Sequence, residues 1–135
     1  MCQATIRLVL ALAAIDDLHL RSVDISHAFI NGDIDTEIYM KQPEGFHSMG
    51  PEYVCRLLKS NYGLRQAARL WNEKLHAALL DMGFVRILSD PSLYVYQRDD
   101  IRIIMPVFVD DITLASKSQS ALDKAVSDLS KYFKL

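Results

Sequence analysis

The sequence predicts an α+β fold in which helices pack on one face of an antiparallel sheet. Segments with apolar residues at helical spacing alternate with short strand-like runs joined by turn residues. Half of the 135 residues are hydrophobic and 24% are charged, a balance typical of a globular chain. The length suits a single core, so we expect residues 1–135 to form one domain or part of one.

Three segments predict helices. Apolar residues recur at helical spacing over 4–19, over 67–84 and from residue 120 onward, and we expect the first of these helices to be largely buried. Gly83 fits a helix-ending glycine, and Ser120 with Asp123 resembles the capping box of the last helix. The first helix begins almost at residue 1 without capping residues, which suggests a fragment.

Six segments predict strands. The runs rich in β-branched and aromatic residues lie at 20–30, where the strand ends between Asp24 and Ser26, and at 37–42, 53–58, 92–97, 101–109 and 112–116. Turn residues predict a hairpin from 37–42 and 53–58, and a second from 92–97 and 101–109. A further reversal at Asp110-Asp111 would add 112–116, giving three antiparallel strands.

Two adjacent carboxylates, Asp110 and Asp111, lie within the apolar stretch "VFVDDI", which predicts that they are close to the core. Two such charges about 4 Å apart repel by roughly 4 kcal/mol at a dielectric of 20, and a bound divalent cation would reverse this penalty. Asp24 ends another strand, so Asp24 with Asp110 could bind Mg²⁺ through oxygen ligands. The alternative is an ordinary turn with scattered surface acids.

Charge and cysteine content narrow the class of partner. The net charge of −2 gives no overall basic field, so any contact with nucleic acid must be local. The two cysteines, Cys2 and Cys55, follow no secretory signal, so we expect reduced thiols and a protein that is not secreted. The apolar stretch 6–15 is shorter than the roughly 20 residues that a membrane span needs, so no membrane partner is expected.

Four stretches resemble, in order, motifs of Copia-type (pseudovirus) retrotransposon reverse transcriptases. They are "VDISHAFINGDIDTEIYMKQPEGF", "CRLLKSNYGLRQAARLWNEKL", "GFVRILSDPSLYVYQRDD" and "VFVDDI", the last resembling the family's YVDD box. The resemblance covers nearly the whole chain. It implies that residues 1–135 are a reverse transcriptase palm domain truncated at both ends, without complete fingers, thumb or ribonuclease H.

The resemblance implies a catalytic site with divalent metal ions. Asp24, Asp110 and Asp111 match the family's catalytic aspartates. Asp24 and Asp110 would be the main Mg²⁺ ligands, with Mn²⁺ as the other candidate ion. The backbone carbonyl of Ile25 would be a further ligand, and Asp111 would lie nearby in a supporting role.

Other matching positions imply contacts with the incoming nucleotide. Phe29 matches the bulky residue that lies under the nucleotide sugar and rejects a 2′-hydroxyl, although a core phenylalanine explains it equally well. Tyr62, Gly63 and Gln66 match the box that packs against the templating base and the nucleotide. Gly63 would allow a close approach of the backbone.

Basic residues cluster between positions 56 and 74 and are candidates for contacts with template or primer phosphates. They are Arg56, Lys59, Arg65, Arg69 and Lys74. For Arg69 and Lys74, a solvated helix face with Glu73 as a local partner is at least as good an explanation.

The implied activity is RNA-directed DNA polymerisation by two-metal nucleotidyl transfer. Its partners would be an RNA or DNA template with a primer, deoxynucleoside triphosphates and the remaining segments of a polyprotein. The expected location is the cytoplasm, within a virus-like particle, or the nucleus.

Three positions depart from the family pattern. Asn61 replaces an apolar residue, Ala68 replaces a proline, and Pro106 replaces an aliphatic residue in the strand that enters the acidic turn. Because proline cannot donate to a sheet, we expect that strand to be bent or shortened. Two alternatives therefore stay open: a degenerate, non-catalytic remnant that keeps only the fold, and a generic α+β binding module with accidental acids.

Overall fold

Residues 3–46 and 50–135 are described by a computed structural model. The helices are α1 (Gln3–Ile15), α2 (Ala28–Asn31), α3 (Ala67–Asp81) and α4 (Gln119–Leu129). The strands are β1 (His19–Asp24), β2 (Tyr39–Lys41), β3 (Val54–Arg56), β4 (Val85–Arg86), β5 (Leu93–Arg98), β6 (Ile101–Phe108) and β7 (Asp111–Ser116). The described chain divides into a first unit, residues 3–28 with 75–135, and a second unit, residues 29–74.

The first unit contains a five-stranded antiparallel sheet in the order β1-β7-β6-β5-β4. This sheet and its helices confirm the α+β class. The second unit contains a two-stranded sheet in which β2 pairs with β3, which confirms the hairpin predicted from 37–42 and 53–58. Tight turns connect β5 to β6 and β6 to β7, so the predicted three-stranded meander is also confirmed.

The helices α1 and α4 lie on opposite faces of the five-stranded sheet, so the predicted packing of helices on one face is wrong for this pair. Val9 of α1 packs in a buried cluster with Ile104 of β6 and Ala115 of β7. Arg21 of β1 lies opposite Leu114, the neighbour of Ala115, and therefore points to the other face. On that face, its guanidinium pairs with Asp123 of α4 at 2.8 Å.

The helix α1 differs from its prediction in length and in burial. It ends at Ile15 rather than His19, and within it only Val9 and Ala13 are buried among the described residues. Leu8 is 58% exposed and Ile15 is 78% exposed. The prediction of a largely buried helix is therefore wrong, because one narrow stripe of α1 contacts the sheet.

Pro106 lies inside an uninterrupted strand. It is opposite Leu93 of β5, and the next residue, Val107, donates its N–H to the Ser92 carbonyl at 2.8 Å. Toward β7, the pairs on either side of Pro106 share one register, so no extra residue is inserted. The prediction of a shortened strand is wrong, because the neighbouring pairs hold the strand in register despite the missing N–H donor.

The ends of α3 and α4 show how the helices begin and stop. Gly83 follows α3 with a φ of 88°, which fits the predicted helix-ending glycine. Ser118, not Ser120, caps α4, and its hydroxyl accepts the N–H of Ala121 at 3.2 Å. No helix within 3–46 or 50–135 is both long and apolar enough to span a membrane. Cys55 is a free, half-buried thiol, and Cys2 lies outside the described residues.

Candidate active site

The register of the first unit places Asp24 directly opposite Asp111. Asp24 is the last residue of β1, and Asp111 is the first residue of β7. Directly opposed residues of an antiparallel pair point to the same face, with Cβ atoms about 4.5–5.5 Å apart. The fold therefore brings together two of the three predicted aspartates, although they are far apart in the sequence.

Asp110 is attached to the same end of the sheet through its backbone. Its carbonyl accepts the N–H of Ile25 at 3.0 Å, and Ile25, which directly follows Asp24, is only 1% exposed. The next residue, Ser26, donates its N–H to the Lys134 carbonyl at 2.8 Å. The bond between Ile25 and Asp110 fixes the position of the β6–β7 turn relative to the end of β1.

The acids lie nearer to solvent than the sequence predicted. Asp24 and Asp111 are exposed, and Asp110 is half-buried. The prediction of a site close to the core is therefore wrong for Asp111, because its strand starts at the edge of the buried region. Phe108, opposite Asp111 on β6 and 54% exposed, continues the row of Asp24 and Asp111 across the sheet face. Phe108 lies in the "VFVDDI" stretch but was not predicted as a site residue.

These oxygen donors fit Mg²⁺ that is bound jointly with a substrate. Carboxylate and carbonyl oxygens are the ligands that Mg²⁺ prefers, and it commonly uses one or two protein carboxylates together with substrate phosphates and water. Within 3–46 and 50–135, no three His, Cys, Asp or Glu side chains converge to hold a metal ion by themselves. The pair Asp24 and Asp111, with Asp110 beside it, thus resembles an open site more than a closed protein cage.

The residue before Asp110 has an unusual backbone conformation. Val109 has a φ of 57°, in the left-handed region that a β-branched residue rarely adopts. Tight two-residue hairpin turns require positive φ values, which explains why the turn imposes this conformation. Residues held in this way occur preferentially at functional sites.

Val109→Gly is expected to raise the free energy of unfolding by about 0.5–1 kcal/mol. A non-glycine residue in the left-handed region costs roughly 1–2 kcal/mol, and the extra unfolded-chain entropy of glycine cancels part of that gain. Urea denaturation would measure the change. The matched control is Val85→Gly in β4. Val85 is exposed and has an extended conformation, so the same replacement there should lower the free energy of unfolding. Equal destabilisation of both variants would contradict strain at Val109.

In the second unit, Phe29 and Tyr62 contact each other edge to face. Their ring centroids are 4.9 Å apart, with an interplanar angle of 75°. The Tyr62 N–H donates to the side-chain oxygen of Asn61 at 2.8 Å, and Gly63 has a φ of 90°. Asn61, a departure from the family pattern, thus stabilises the turn that presents Tyr62. Gln66 donates weakly to the Thr36 hydroxyl at 3.5 Å.

The basic candidates of the second unit are mostly paired with acids of the same unit. Arg56 lies 3.9 Å from Glu37, and Lys59 forms an ion pair with Asp33. Arg65 is exposed and forms no ion pair within the described parts of the chain. Of Arg56, Lys59 and Arg65, Arg65 is therefore the candidate that could contact a phosphate without breaking an ion pair seen in the described residues.

The explanation of Arg69 as part of a solvated helix face with a local partner is confirmed. Arg69 pairs with Glu73 one turn along α3 at 3.0 Å and also with Asp35 at 2.6 Å. Lys74 pairs instead with Asp33 at 2.6 Å. Sequence reasoning did not identify the acids at 33–37 as partners of these cations. The signal that could have found them is an acid at every second position, Asp33, Asp35 and Glu37, directly after a turn.

A meandering antiparallel sheet that brings aspartates of two strands to one end is the arrangement predicted for a polymerase palm. Comparison with known proteins agrees with this class. The sequence model of the family described as "Reverse transcriptase (RNA-dependent DNA polymerase)" matches residues 2–135. The chain belongs to this family.

Individual relatives confirm the resemblance to Copia-type elements. The chain is 42% identical over 130 residues to the retrovirus-related Pol polyprotein from transposon RE2 of Arabidopsis thaliana. It is 40% identical over 131 residues to the corresponding polyprotein from transposon TNT 1-94 of Nicotiana tabacum. Each match covers 96% of this chain but only 9% and 10% of the two polyproteins. No solved structure matches the chain.

A shorter relative matches in the same way. A putative transposon Ty5-1 protein of Saccharomyces cerevisiae is 37% identical over 114 residues, which covers 84% of this chain and 37% of that protein. The chain therefore spans well under half of the length of each of these relatives.

Proposed function

We propose that this chain is the palm segment of an RNA-directed DNA polymerase in which Asp24 and Asp110 hold divalent metal ions for nucleotidyl transfer. The observation that carries the proposal is the β1–β7 register, in which Asp24 lies opposite Asp111 while the Asp110 carbonyl accepts the Ile25 N–H. The family membership supports the same lineage.

In the proposed reaction, the 3′-oxygen of a primer attacks the α-phosphate of a deoxynucleoside triphosphate, and pyrophosphate leaves. Bound Mg²⁺ supplies positive charge that lowers the pKa of the primer hydroxyl and neutralises the charge developing on the leaving group. Asp24 and Asp110 would hold the ions, the Ile25 carbonyl would be a further ligand, and Asp111 would support the site from the strand opposite Asp24. The Ile25 N–H fixes the turn, so these groups need little reorganisation during the reaction.

The remaining candidates would bind the substrates. Phe29, Tyr62, Gly63 and Gln66 contact the incoming nucleotide in this proposal, with Phe29 excluding a 2′-hydroxyl. The edge-to-face contact from Tyr62 supports this assignment because it fixes the Phe29 ring.

The proposed partners are the ones that a polymerase palm would need. They are an RNA or DNA template with its primer, deoxynucleoside triphosphates and further segments of a Pol polyprotein. Arg56, Lys59 and Arg65 would contact template or primer phosphates. We place this activity in a cytoplasmic virus-like particle or in the nucleus.

Asp110→Asn is expected to reduce primer extension in Mg²⁺ by at least about 100-fold, because it removes a charged ligand from the reacting centre. The assay compares the parent chain with this variant on an RNA template annealed to a DNA primer. Asp100→Asn is the matched control, since Asp100 is an exposed aspartate in the β5–β6 turn and the charge change is the same.

The outcomes separate the functions that the sequence left open. Extension by the parent and by the control, lost in Asp110→Asn, supports the proposal. No product from any of the three chains contradicts polymerase activity and leaves the non-catalytic remnant. Equal extension by Asp110→Asn and the parent contradicts the assigned ligand.

A further inference from the structure

The carboxylate of Asp33 lies between two lysines of the second unit. Lys59 contacts one oxygen, and the Lys74 ammonium lies 2.6 Å from the other. Hydrogen bonds from Lys59 and then from Lys74 lower the pKa of Asp33 from 3.8 to about 2. One carboxylate thus pairs, through its two oxygens, with two converging ammonium groups, and the three side chains together keep a net charge of +1.

The backbone sets this convergence. Asp33 and Lys59 are partners in an antiparallel bridge, and the Ser60 N–H donates to the Gly32 carbonyl at 3.0 Å. A Cβ atom added to Gly32 would lie 3.1 Å from the Leu70 Cβ, so α3 lies directly against Gly32. Lys74 is one helical turn beyond Leu70 on the same side of α3. Both lysines are therefore held near one point by the fold.

This geometry also suits a nucleic-acid phosphate. A backbone phosphodiester carries one negative charge on two free oxygens, and lysines bind it by charge-assisted hydrogen bonds. The three side chains are between 36% and 63% exposed. Solvent-exposed ion pairs contribute only about 0–1 kcal/mol, so an incoming phosphate can exchange with the Asp33 carboxylate.

We propose that Lys59 and Lys74 together bind one backbone phosphate of a nucleic acid and that Asp33 occupies this position when no nucleic acid is bound. The proposal rests on the proposed function, which gives the chain a template and a primer. It adds Lys74 to the phosphate contacts of the proposed function, in place of the solvated-face explanation, and makes Asp33 an internal competitor that weakens binding.

Fluorescence anisotropy with a labelled RNA–DNA hybrid, without Mg²⁺ or nucleotide, tests this proposal. Asp33→Asn is expected to tighten binding about threefold to tenfold at low salt. It should also steepen the dependence of log affinity on log salt by about 0.9, the value for one additional neutralised phosphate. A triple variant that combines Lys59→Ala and Lys74→Ala with Asp33→Asn should lose the gain in affinity. Circular dichroism would verify that each variant is folded.

Asp100→Asn is the matched control, because it changes the net charge equally at an exposed turn of the first unit. An equal gain in both variants, no gain in Asp33→Asn, or a gain that survives loss of both lysines would overturn the proposal. Binding is measured without metal, so its failure is distinguishable from failure of the polymerase proposal. Tighter binding by Asp33→Asn in a chain that extends no primer would support the phosphate position and contradict the polymerase.

Discussion

Asp24→Asn is expected to weaken Mg²⁺ binding by at least about tenfold, equivalent to about 1.4 kcal/mol. Asp24 and Asp111 are opposite each other at the end of β1 and β7, and the exchange replaces one of two facing carboxylates with a neutral amide. Mg²⁺ prefers charged oxygen ligands, so the loss of Asp24, one of the two main ligands in the proposal, weakens its binding. Isothermal titration calorimetry of the parent and the variant, with a nucleoside triphosphate present, would measure the change.

The same titration needs an aspartate control away from the site. Asp100→Asn fits this need, because it lies in the β5–β6 turn and the β6–β7 turn is at the other end of β6. We expect its Mg²⁺ affinity to match that of the parent. Equal affinities for all three chains would show that Asp24 is not a ligand and would remove the basis of the metal site.

Leu114→Ala is expected to lower the free energy of unfolding by about 3 kcal/mol. Leu114 is fully buried in β7, between β1 and β6, so truncation removes apolar contacts and leaves a cavity in the sheet core. Urea denaturation of the parent and the variant would measure the loss. Because β7 sets the register that places Asp111 opposite Asp24, this core also supports the candidate site.

Leu88→Ala is the matched control for that loss. Leu88 is fully exposed, so the same truncation should change the free energy of unfolding by less than about 0.5 kcal/mol. A loss of similar size in both variants would indicate that the sheet core is not packed around Leu114. The difference between the two variants is therefore the informative quantity.

The parts that sequence reasoning predicted correctly depend on local patterns. Helical spacing located α3, and its end near Gly83 followed from the need for a left-handed residue. Alternating residues and turn signals located the hairpins. Local patterns could not predict that Asp24 lies opposite Asp111, because only the strand order of the sheet makes these two residues neighbours. The position of Asp24 at a strand end made their convergence one of two alternatives, and the family resemblance favoured it.

The errors arose where the surroundings of a residue decide its structure. The helical pattern of α1 could not show that a narrow stripe would meet the sheet, leaving Leu8 exposed. Pro106 was judged by its missing N–H alone, whereas neighbouring pairs on both sides hold the strand in register. The ion pairs of Asp33 with Lys59 and Lys74 join positions that no local pattern relates.

Paramagnetic line broadening by Mn²⁺ in the amide NMR spectrum would test most directly whether the acids of β1 and the β6–β7 turn hold a metal. With substoichiometric Mn²⁺, we expect the amide signals of residues 24–26 and 109–111 to broaden first, because broadening falls steeply with distance from the ion. Broadening centred on residues 33–37 or 99–100, with 24–26 and 109–111 unaffected, would contradict the proposed metal site.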